Sequence, residues 1–435
     1  MVRAEDATPQ ITAWGSRIFQ EVERTMTDQE EKIYPTLKED SCVSHYNFLE
    51  EARAGYDLPP KIYIKDMTLR EGEQAAMSGF TLEEKIEIAR RLDEVGVHYI
   101  QVGYPGLSES ENRMIQTIVK LGLRAKVGGI CLVYLPEWKE QIDRAIDTGV
   151  QWVSVAYGLS PVRLSHMMKV PLEQAVDRCL QAMAYATRQG LTVSFGATDT
   201  TRTPLETLVQ LYRQAVSAGA SIVGIADTAG AMGPTGMRYL VRQMRQAVSA
   251  PVSIHCHNDL GLAMANTLAG VEAGASFIDV TVNGLGERAG NACLDEVAAV
   301  LSYVYGYDLG LDLKKMMPLS KRVAELSRVP IPDTKPLMGA SAFTHTLGAH
   351  QWGVRQAWFC YEPVRAEALG NERRLPLGRL THHLLVRDKL MEQGFSGLDE
   401  KKVQRITERV RDLAEKEARF VTDQELAEIA SQEKA

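Results

Sequence analysis

The sequence predicts an α/β protein built on one (β/α)8 TIM barrel, with an N-terminal extension in front and a small helical subdomain behind. Two observations carry this expectation. Between residues 61 and 305, eight short β-rich runs alternate with longer helical stretches, separated by Gly, Pro or polar residues. The segment also has the length typical of a closed eight-unit barrel, roughly 250 residues.

The strands are expected at KIYIKDM (61–67), HYIQVG (98–103), AKVGGIC (125–131), WVSVAY (152–157), TVSFGA (192–197), SIVGIA (221–226), VSIHCH (252–257) and FIDVTV (277–282). Helix ends are legible between them. Thr81 and Glu84 form a capping box ahead of Leu82, Ile86, Ala89 and Leu92 at helical spacing, and Gly96 stands where a C-terminal glycine belongs. A second helix opens at Thr203-Pro204 and closes near Gly219. An open doubly wound sheet is the alternative arrangement of the same units.

Residues 1–60 form the expected extension, partly helical, with a polar stretch at TMTDQEEK, packing on the barrel or reaching a partner subunit. Residues 306–398 read as a linker and helical subdomain, and residues 399–435 as charged helices. No large C-terminal regulatory domain is expected.

The composition narrows the function classes. With 435 residues, 45% of them hydrophobic, the chain can bury a large core, and its net charge of -7 comes without any Lys/Arg-rich run for nucleic acid. No apolar stretch reaches a membrane span of roughly 18 residues, and the acid-bearing N-terminus MVRAEDATPQ does not read as a signal or transit peptide. Six scattered cysteines without a CxxC pair fit reduced thiols in the cytoplasm.

The chemistry concentrates where strands end. In SIHCHNDLG, His255 and His257 are two apart on a strand, so both face one side at its C-terminal end, where a barrel keeps its active site. The first strand runs into KDMTLREGEQ and places Arg70, Glu71 and Gln74 on the same rim. Two imidazoles and a carboxylate suit a divalent cation with positions left open for substrate. VNGLGERAGN follows the eighth strand, which adjoins the first in a closed barrel, so Asn291 can add an amide oxygen. The bland alternative is a pair of hydrogen-bonded histidines, and for Glu287 and Arg288 a loop cross-link. Arg70 beside a dication argues for an anionic ligand facing both.

Together, DMTLREGEQ, IADTAG, HCHNDLGLAMAN, GLGERAGNACLDE and AFTHTLGAHQ (342–351) resemble the metal-dependent TIM-barrel acyltransferases and lyases. That family holds isopropylmalate, homocitrate, citramalate and Re-type citrate synthases and, more distantly, 3-hydroxy-3-methylglutaryl-CoA lyase. The resemblance spans about residues 61–390. It implies metal binding (Mn2+, Mg2+ or Zn2+) by Glu71, His255 and His257, with Asn291 close by. It also implies a catalytic arginine at Arg70 and a grip on the 2-oxo acid carboxylate at Thr228, with Gln74 near the substrate. A histidine supplied across a homodimer would fall at His350, with His345 nearby.

Several positions depart from that family. SFGATDTTRT offers Thr198 where the synthases carry a fifth-strand glutamate, and a hydroxyl cannot replace a titrating carboxylate. Ser194 and Gly196 stand where homocitrate synthases place an arginine and a serine; the second strand has Gln101 for glutamate, and the fourth lacks a histidine. The implied reaction joins the acetyl group of acetyl-CoA to a 2-oxo acid, with His350 as first candidate for moving the proton and Asp199 and Glu287 as further ones. Tyr157, Arg163, His166 and Arg202 are expected around the side-chain pocket, where arginine favours a dicarboxylic 2-oxo acid such as oxaloacetate or 2-oxoglutarate. Isopropylmalate- or citramalate-type synthesis and a carbon-carbon lyase or aldolase of the same fold are the alternatives, and an iron oxygenase or a retired, non-enzymatic barrel are more remote ones.

Overall fold

A computed structural model describes Thr36 and residues 38–434. Of the expected N-terminal extension, residues 1–35 and 37, including TMTDQEEK, lie outside the described residues. The described chain divides into two compact units, one of residues 48–339 with 369–371 and one of residues 38–47, 340–368 and 372–434. Residues 306–339, expected with the helical subdomain, group with the barrel.

The first unit is the expected barrel. Strands β1 (Tyr63–Asp66), β2 (Tyr99–Gln101), β3 (Lys126–Leu132), β4 (Trp152–Gly158), β5 (Thr192–Thr198), β6 (Ala220–Asp227), β7 (Val252–Cys256) and β8 (Phe277–Val280) pair in parallel and in chain order. The barrel closes where Lys65 of β1 lies opposite Asp279 of β8. Eight helices complete the units: α1 (Leu82–Val95), α2 (Glu109–Val119), α3 (Trp138–Thr148), α4 (Leu172–Arg188), α5 (Leu205–Ser217), α6 (Pro234–Ala247), α7 (Ala263–Val271) and α8 (Leu294–Tyr303). No helix of the described residues is long and apolar enough to cross a membrane.

Local chemistry explains the element ends. At α1, Thr81 Oγ1 accepts from the Glu84 amide at 3.2 Å and Glu84 Oε2 accepts from the Thr81 amide at 2.7 Å, closing the capping box. Gly96 ends this helix at φ +98°, and a Cβ there would stand 2.8 Å from the Gly310 carbonyl oxygen. At α5, Thr203 does not cap the helix: its hydroxyl donates to the Asp199 carbonyl at 3.1 Å, and Pro204 alone sets the start.

Strand alternation divides the barrel into two cores. Ile64, Ile100, Val153, Phe195, Val223 and Ile254 are fully buried, on the side that meets the helices, where Ile88, Leu92, Leu208 and Val241 are fully buried as well. Inside, Tyr63, Tyr99, Trp152 and Phe277 form an aromatic layer near the strand starts, with Tyr63 and Phe277 stacked at 4.7 Å and Tyr99 edge-on to Phe277 at 5.5 Å. One layer higher the inward positions turn polar: Lys65, Gln101, Ser154, Ser194, Ser253 and Asp279.

Beyond α8, helix α9 (Met316–Ser327) stays with the barrel, and Lys335 returns to the exit of β8. Its ammonium, buried, lies 3.0 Å from Cys293 Sγ, 3.0 Å from Asp295 and 2.8 Å from Glu296. These three could have been read as metal ligands, but the lysine already supplies their cation.

The second unit contains α10 (Gly348–Gln356), α11 (His383–Glu392), α12 (Glu400–Glu417) and α13 (Asp423–Lys434). The charged appearance of α12 hides a buried stripe of Val403, Ile406, Val410 and Ala414. Ile406, Val410 and Ala414 join Leu385, Val386, Leu390 and Leu426 in one core.

Gly128 generates a test of the aromatic layer, because a Cβ at that position would lie 2.2 Å from Trp152 Cε2. Gly128→Ala is expected to destabilise the barrel by about 1–3 kcal/mol through overpacking. Denaturant unfolding should show a lower midpoint with an unchanged slope, and wild-type stability would refute the tight contact.

Candidate active site at the mouth of the barrel

The polar layer opens upward into a cavity of about 360 Å3 lined from all eight strands or the loops that follow them. Glu71, His255 and His257 meet there, one donor atom of each lying within 4.8 Å of the others. His255 Nε2 and His257 Nε2 are 3.2 Å apart, and Glu71 Oε1 is 3.7 Å from His257 Nε2.

Each of these side chains is placed by a local device. After β1, Asp66 accepts from the Thr68 amide at 2.8 Å and from the Thr68 hydroxyl at 3.0 Å, and that hydroxyl in turn accepts from the Val282 amide at 2.9 Å. This turn ties the end of β1 to the end of β8 and presents Arg70 and Glu71. Burial pushes the Asp66 carboxyl up to about 7. His255 is fixed through its other nitrogen: Nδ1 lies 3.3 Å from Asp279 Oδ2, leaving Nε2 aimed into the cavity. Asp279 also accepts from Lys65 Nζ at 2.8 Å and Ser253 Oγ at 3.0 Å. Burial alone would raise its carboxyl, but Lys65 and His255 hold it below the usual carboxylate range.

Burial holds both imidazoles on the neutral side. It depresses His255 against the pull of Asp279, and it lowers His257 to about 3, with His255 and Arg288 adding to the effect. Neutral imidazoles offer lone pairs, as a metal ligand must. Asn291 comes alongside through a bridge with His257, and its buried Oδ1 has no hydrogen-bond partner among the described residues. Gly286 makes that approach possible, since a Cβ there would lie 2.1 Å from Asn291 Nδ2 and 3.4 Å from Glu71 Cγ. An orphaned amide oxygen beside two imidazoles and a carboxylate is a donor set that fits a divalent cation.

Arg70 joins the group. It is buried, its Nε donates to Gln101 Oε1 at 2.7 Å, and its guanidinium pairs with Glu71 Oε2. Gln101 passes the contact on to Ser154 Oγ at 3.3 Å. Gln74 also lines the cavity and donates to the Tyr104 hydroxyl at 2.7 Å. Thr228 lines it too, with its Oγ1 accepting from the Asp199 amide at 2.7 Å.

Other expected residues fall elsewhere. Tyr157 is not among the lining residues, because on β4 Ser154 and Ala156 point inward and alternation turns Tyr157 outward, edge-on to Tyr134 at 6.1 Å. Asp199 is fully buried outside the lining; Ser160 Oγ donates to its Oδ2 and Arg202 Nε to its Oδ1 at 2.7 Å, so its carboxylate is spent on loop structure. Arg202 is thereby committed, and His166 is exposed. Arg163 does line the cavity, as do Thr198 and Glu287. Arg288 cross-links loops, reaching Asp259 at 2.7 Å and the Thr228 carbonyl at 2.7 Å. In the second unit, His345 Nε2 lies 2.9 Å from Glu362, which also holds Arg373, and the His350 ring stacks on Tyr361 at 4.0 Å.

Asp279, Lys65 and Ser253 went unread in the sequence as site residues. The signal was available: Lys65 in KIYIKDM and Asp279 in FIDVTV each interrupt an apolar run at an inward position. Only the closure of β8 on β1 makes them opposite partners.

Comparison with known proteins bears on the family and the fold. Residues 61–323 match the HMGL-like family, and residues 337–418 match the homocitrate synthase post-HMGL domain-like family. The chain is 39% identical over 366 residues to homocitrate synthase AksA of Methanothermobacter thermautotrophicus, covering 84% of this chain and 92% of that protein. It is 38% identical over 384 residues to a 2-isopropylmalate synthase of Methanocaldococcus jannaschii, covering 88% and 73%. Among solved structures, the HMG-CoA lyase of Bacillus subtilis superposes with a TM-score of 0.57 at 19% identity, covering 63% of this chain and 96% of the lyase, which supports the fold. The chain belongs to the HMGL-like family, in the branch that carries the homocitrate synthase post-HMGL domain.

Proposed function

We propose that this protein is an acyltransferase that condenses acetyl-CoA with a 2-oxo acid, dicarboxylic by preference, such as oxaloacetate or 2-oxoglutarate. The convergence of Glu71, His255 and His257 with the unpaired Asn291 oxygen carries the reading. Relatives named for two different products stand at nearly equal identity, so the choice of 2-oxo acid rests on this chain's own residues. Both are synthases, which favours condensation over the carbon-carbon lyase alternative. The polar inward layer of Lys65, Gln101, Ser154, Ser194 and Ser253 favours a substrate with a second charged end over a branched alkyl one.

Glu71, His255 and His257 would hold a divalent cation, which would supply Lewis-acid polarisation of a ketone oxygen. Arg70 faces the same point and stabilises the oxyanion that develops there, its own orientation kept by Gln101. Thr228 retains a hydroxyl proton to offer the 2-oxo acid carboxylate, since its oxygen is already an acceptor. Removal of a methyl proton from acetyl-CoA yields the enolate, whose carbon bonds to the ketone carbon; water then cleaves the thioester and CoA leaves. His350, contributed by the partner subunit of a cytoplasmic homodimer, is the proposed proton carrier, an assignment supported by AFTHTLGAHQ and by the family match over residues 337–418.

Free CoA release with acetyl-CoA, Mn2+ or Mg2+ and a panel of oxaloacetate, 2-oxoglutarate, 2-oxoisovalerate and pyruvate tests the reaction. Turnover with at least one is expected, and no consumption of acetyl-CoA with any would dismiss it. Asp279→Asn should weaken Mn2+ binding by about 10–100-fold, because His255 loses the partner that orients it. Titration calorimetry reads this directly, and wild-type affinity would remove Asp279 from the site. Arg70→Gln should lower kcat by about 100-fold or more while Mn2+ still binds; an unchanged kcat would take the arginine out of the chemistry.

A further inference from the structure

Among the residues that line the cavity, the four cations Lys65, Arg70, Arg163 and Arg288 stand with the three acids Glu71, Asp279 and Glu287. Lys65 is paired with Asp279, Arg70 with Glu71, and Arg288 with Asp259. Arg163 also lines the cavity, yet among the described residues no carboxylate lies within ion-pairing distance of it. Among the described residues, the hydrogen-bond contact of its guanidinium is with the Met167 sulfur, at 3.5 Å. A half-buried arginine with a cavity on one side and no acid within pairing distance is short of an anion.

Its placement is built. Ser160 Oγ accepts from the Arg163 amide at 3.2 Å, and the same hydroxyl donates to the buried Asp199 carboxylate. The Asp199 amide donates to Thr228 Oγ1, so the loops after β4, β5 and β6 are tied into one rim. The side chain then crosses the end of β4 over Gly158, where a Cβ would lie 2.8 Å from Arg163 Cδ. Any larger residue at 158 would push the arginine off this path. Next to it the wall is small: Ala156, Gly196, Gly224 and Ala226 line the cavity, and a Cβ at Gly196 would meet nothing within 4 Å.

Barrel order sets the distance across. Glu71, His255 and His257 stand on the β7 and β1 side, and Arg163 follows β4, on the opposite wall of the closed barrel. An elongated anion with one charged end at the histidines would bring its other end past the glycine-lined wall to Arg163.

We infer that Arg163 is the specificity-determining residue that binds the distal carboxylate of a 2-oxo dicarboxylic acid, with Asp199 and Ser160 positioning it. The inference rests on the condensing reaction proposed above. Asp199 thus serves the site as a support for Arg163 and holds no proton for the reaction. A carboxylate at that end forms charge-assisted hydrogen bonds with the guanidinium, whereas an alkyl end would leave the cation desolvated and unpaired.

Wild-type, Arg163→Met and Arg163→Lys proteins, each loaded with Mn2+, test this on two readouts. One is kcat/KM for oxaloacetate, 2-oxoglutarate, pyruvate and 2-oxoisovalerate. The other is calorimetric binding of each 2-oxo acid without acetyl-CoA. Wild type should prefer a dicarboxylic acid. Arg163→Met should cost about 10–100-fold on that substrate, mostly in KM and in the binding constant. Monocarboxylic acids should shift less than about threefold, and Arg163→Lys should recover part of the loss. An unchanged preference, an equal loss on both classes, a wild-type preference for a monocarboxylic acid, or a loss confined to the KM for acetyl-CoA would overturn the assignment. Arg163-dependent binding of a dicarboxylic acid by a protein that releases no CoA would instead sustain the assignment and overturn the condensing reaction.

Discussion

The carboxylate of Asp279, shut inside the barrel and shared by Lys65, Ser253 and His255, is the constraint on which the rest of the site depends. A buried carboxylate is costly unless paired and hydrogen-bonded. This one is both, across the β8–β1 seam that closes the barrel. The pair therefore links closure of the fold to function: the contact that satisfies Asp279 from β1 leaves its other oxygen to orient His255. A fixed Nε2 follows from that, 3.2 Å from the Nε2 of His257.

Much of this was legible in the amino-acid order. The eight strands, the α1 capping box and the Glu71–His255–His257 grouping were legible because each depends on spacing within one segment or on the rule that strand C-terminal ends share one rim of a barrel. What was not legible depends on parity and on loop conformation. Tyr157 was expected at the pocket, but its neighbour Ala156 lines the cavity, and a shift of one residue along β4 turns a side chain to the other face. Asp199 adopts φ +63°, a left-handed conformation that the sequence does not announce, and this directs its carboxylate into Ser160 and Arg202. The buried Lys335 is another such case, since it meets Cys293, Asp295 and Glu296 across about 40 residues of chain.

The departures on β2 and β5 acquire a physical meaning once the lining is known. Gln101, a neutral amide, still holds Arg70 by its oxygen, so that arginine keeps its orientation with one fewer negative charge beside it. Ser194, Gly196 and Thr198 all face the cavity, so the fifth strand contributes space and hydroxyls and no ionisable group. The charged lining comes instead from β1, β8 and the loops after β1, β4 and β8. A few inward positions thus decide where charge stands on the lining of this barrel.

The ring of Tyr63, Tyr99, Trp152 and Phe277 has a consequence for traffic. Packed together at the starting ends of the strands, these rings close that end of the barrel among the described residues. A molecule lodged against the inner walls has no rear exit, so whatever occupies the opening after it also detains it. Departure must then reverse the sequence of arrival, an order of events imposed by four aromatic side chains that touch none of the metal-binding residues' chemistry.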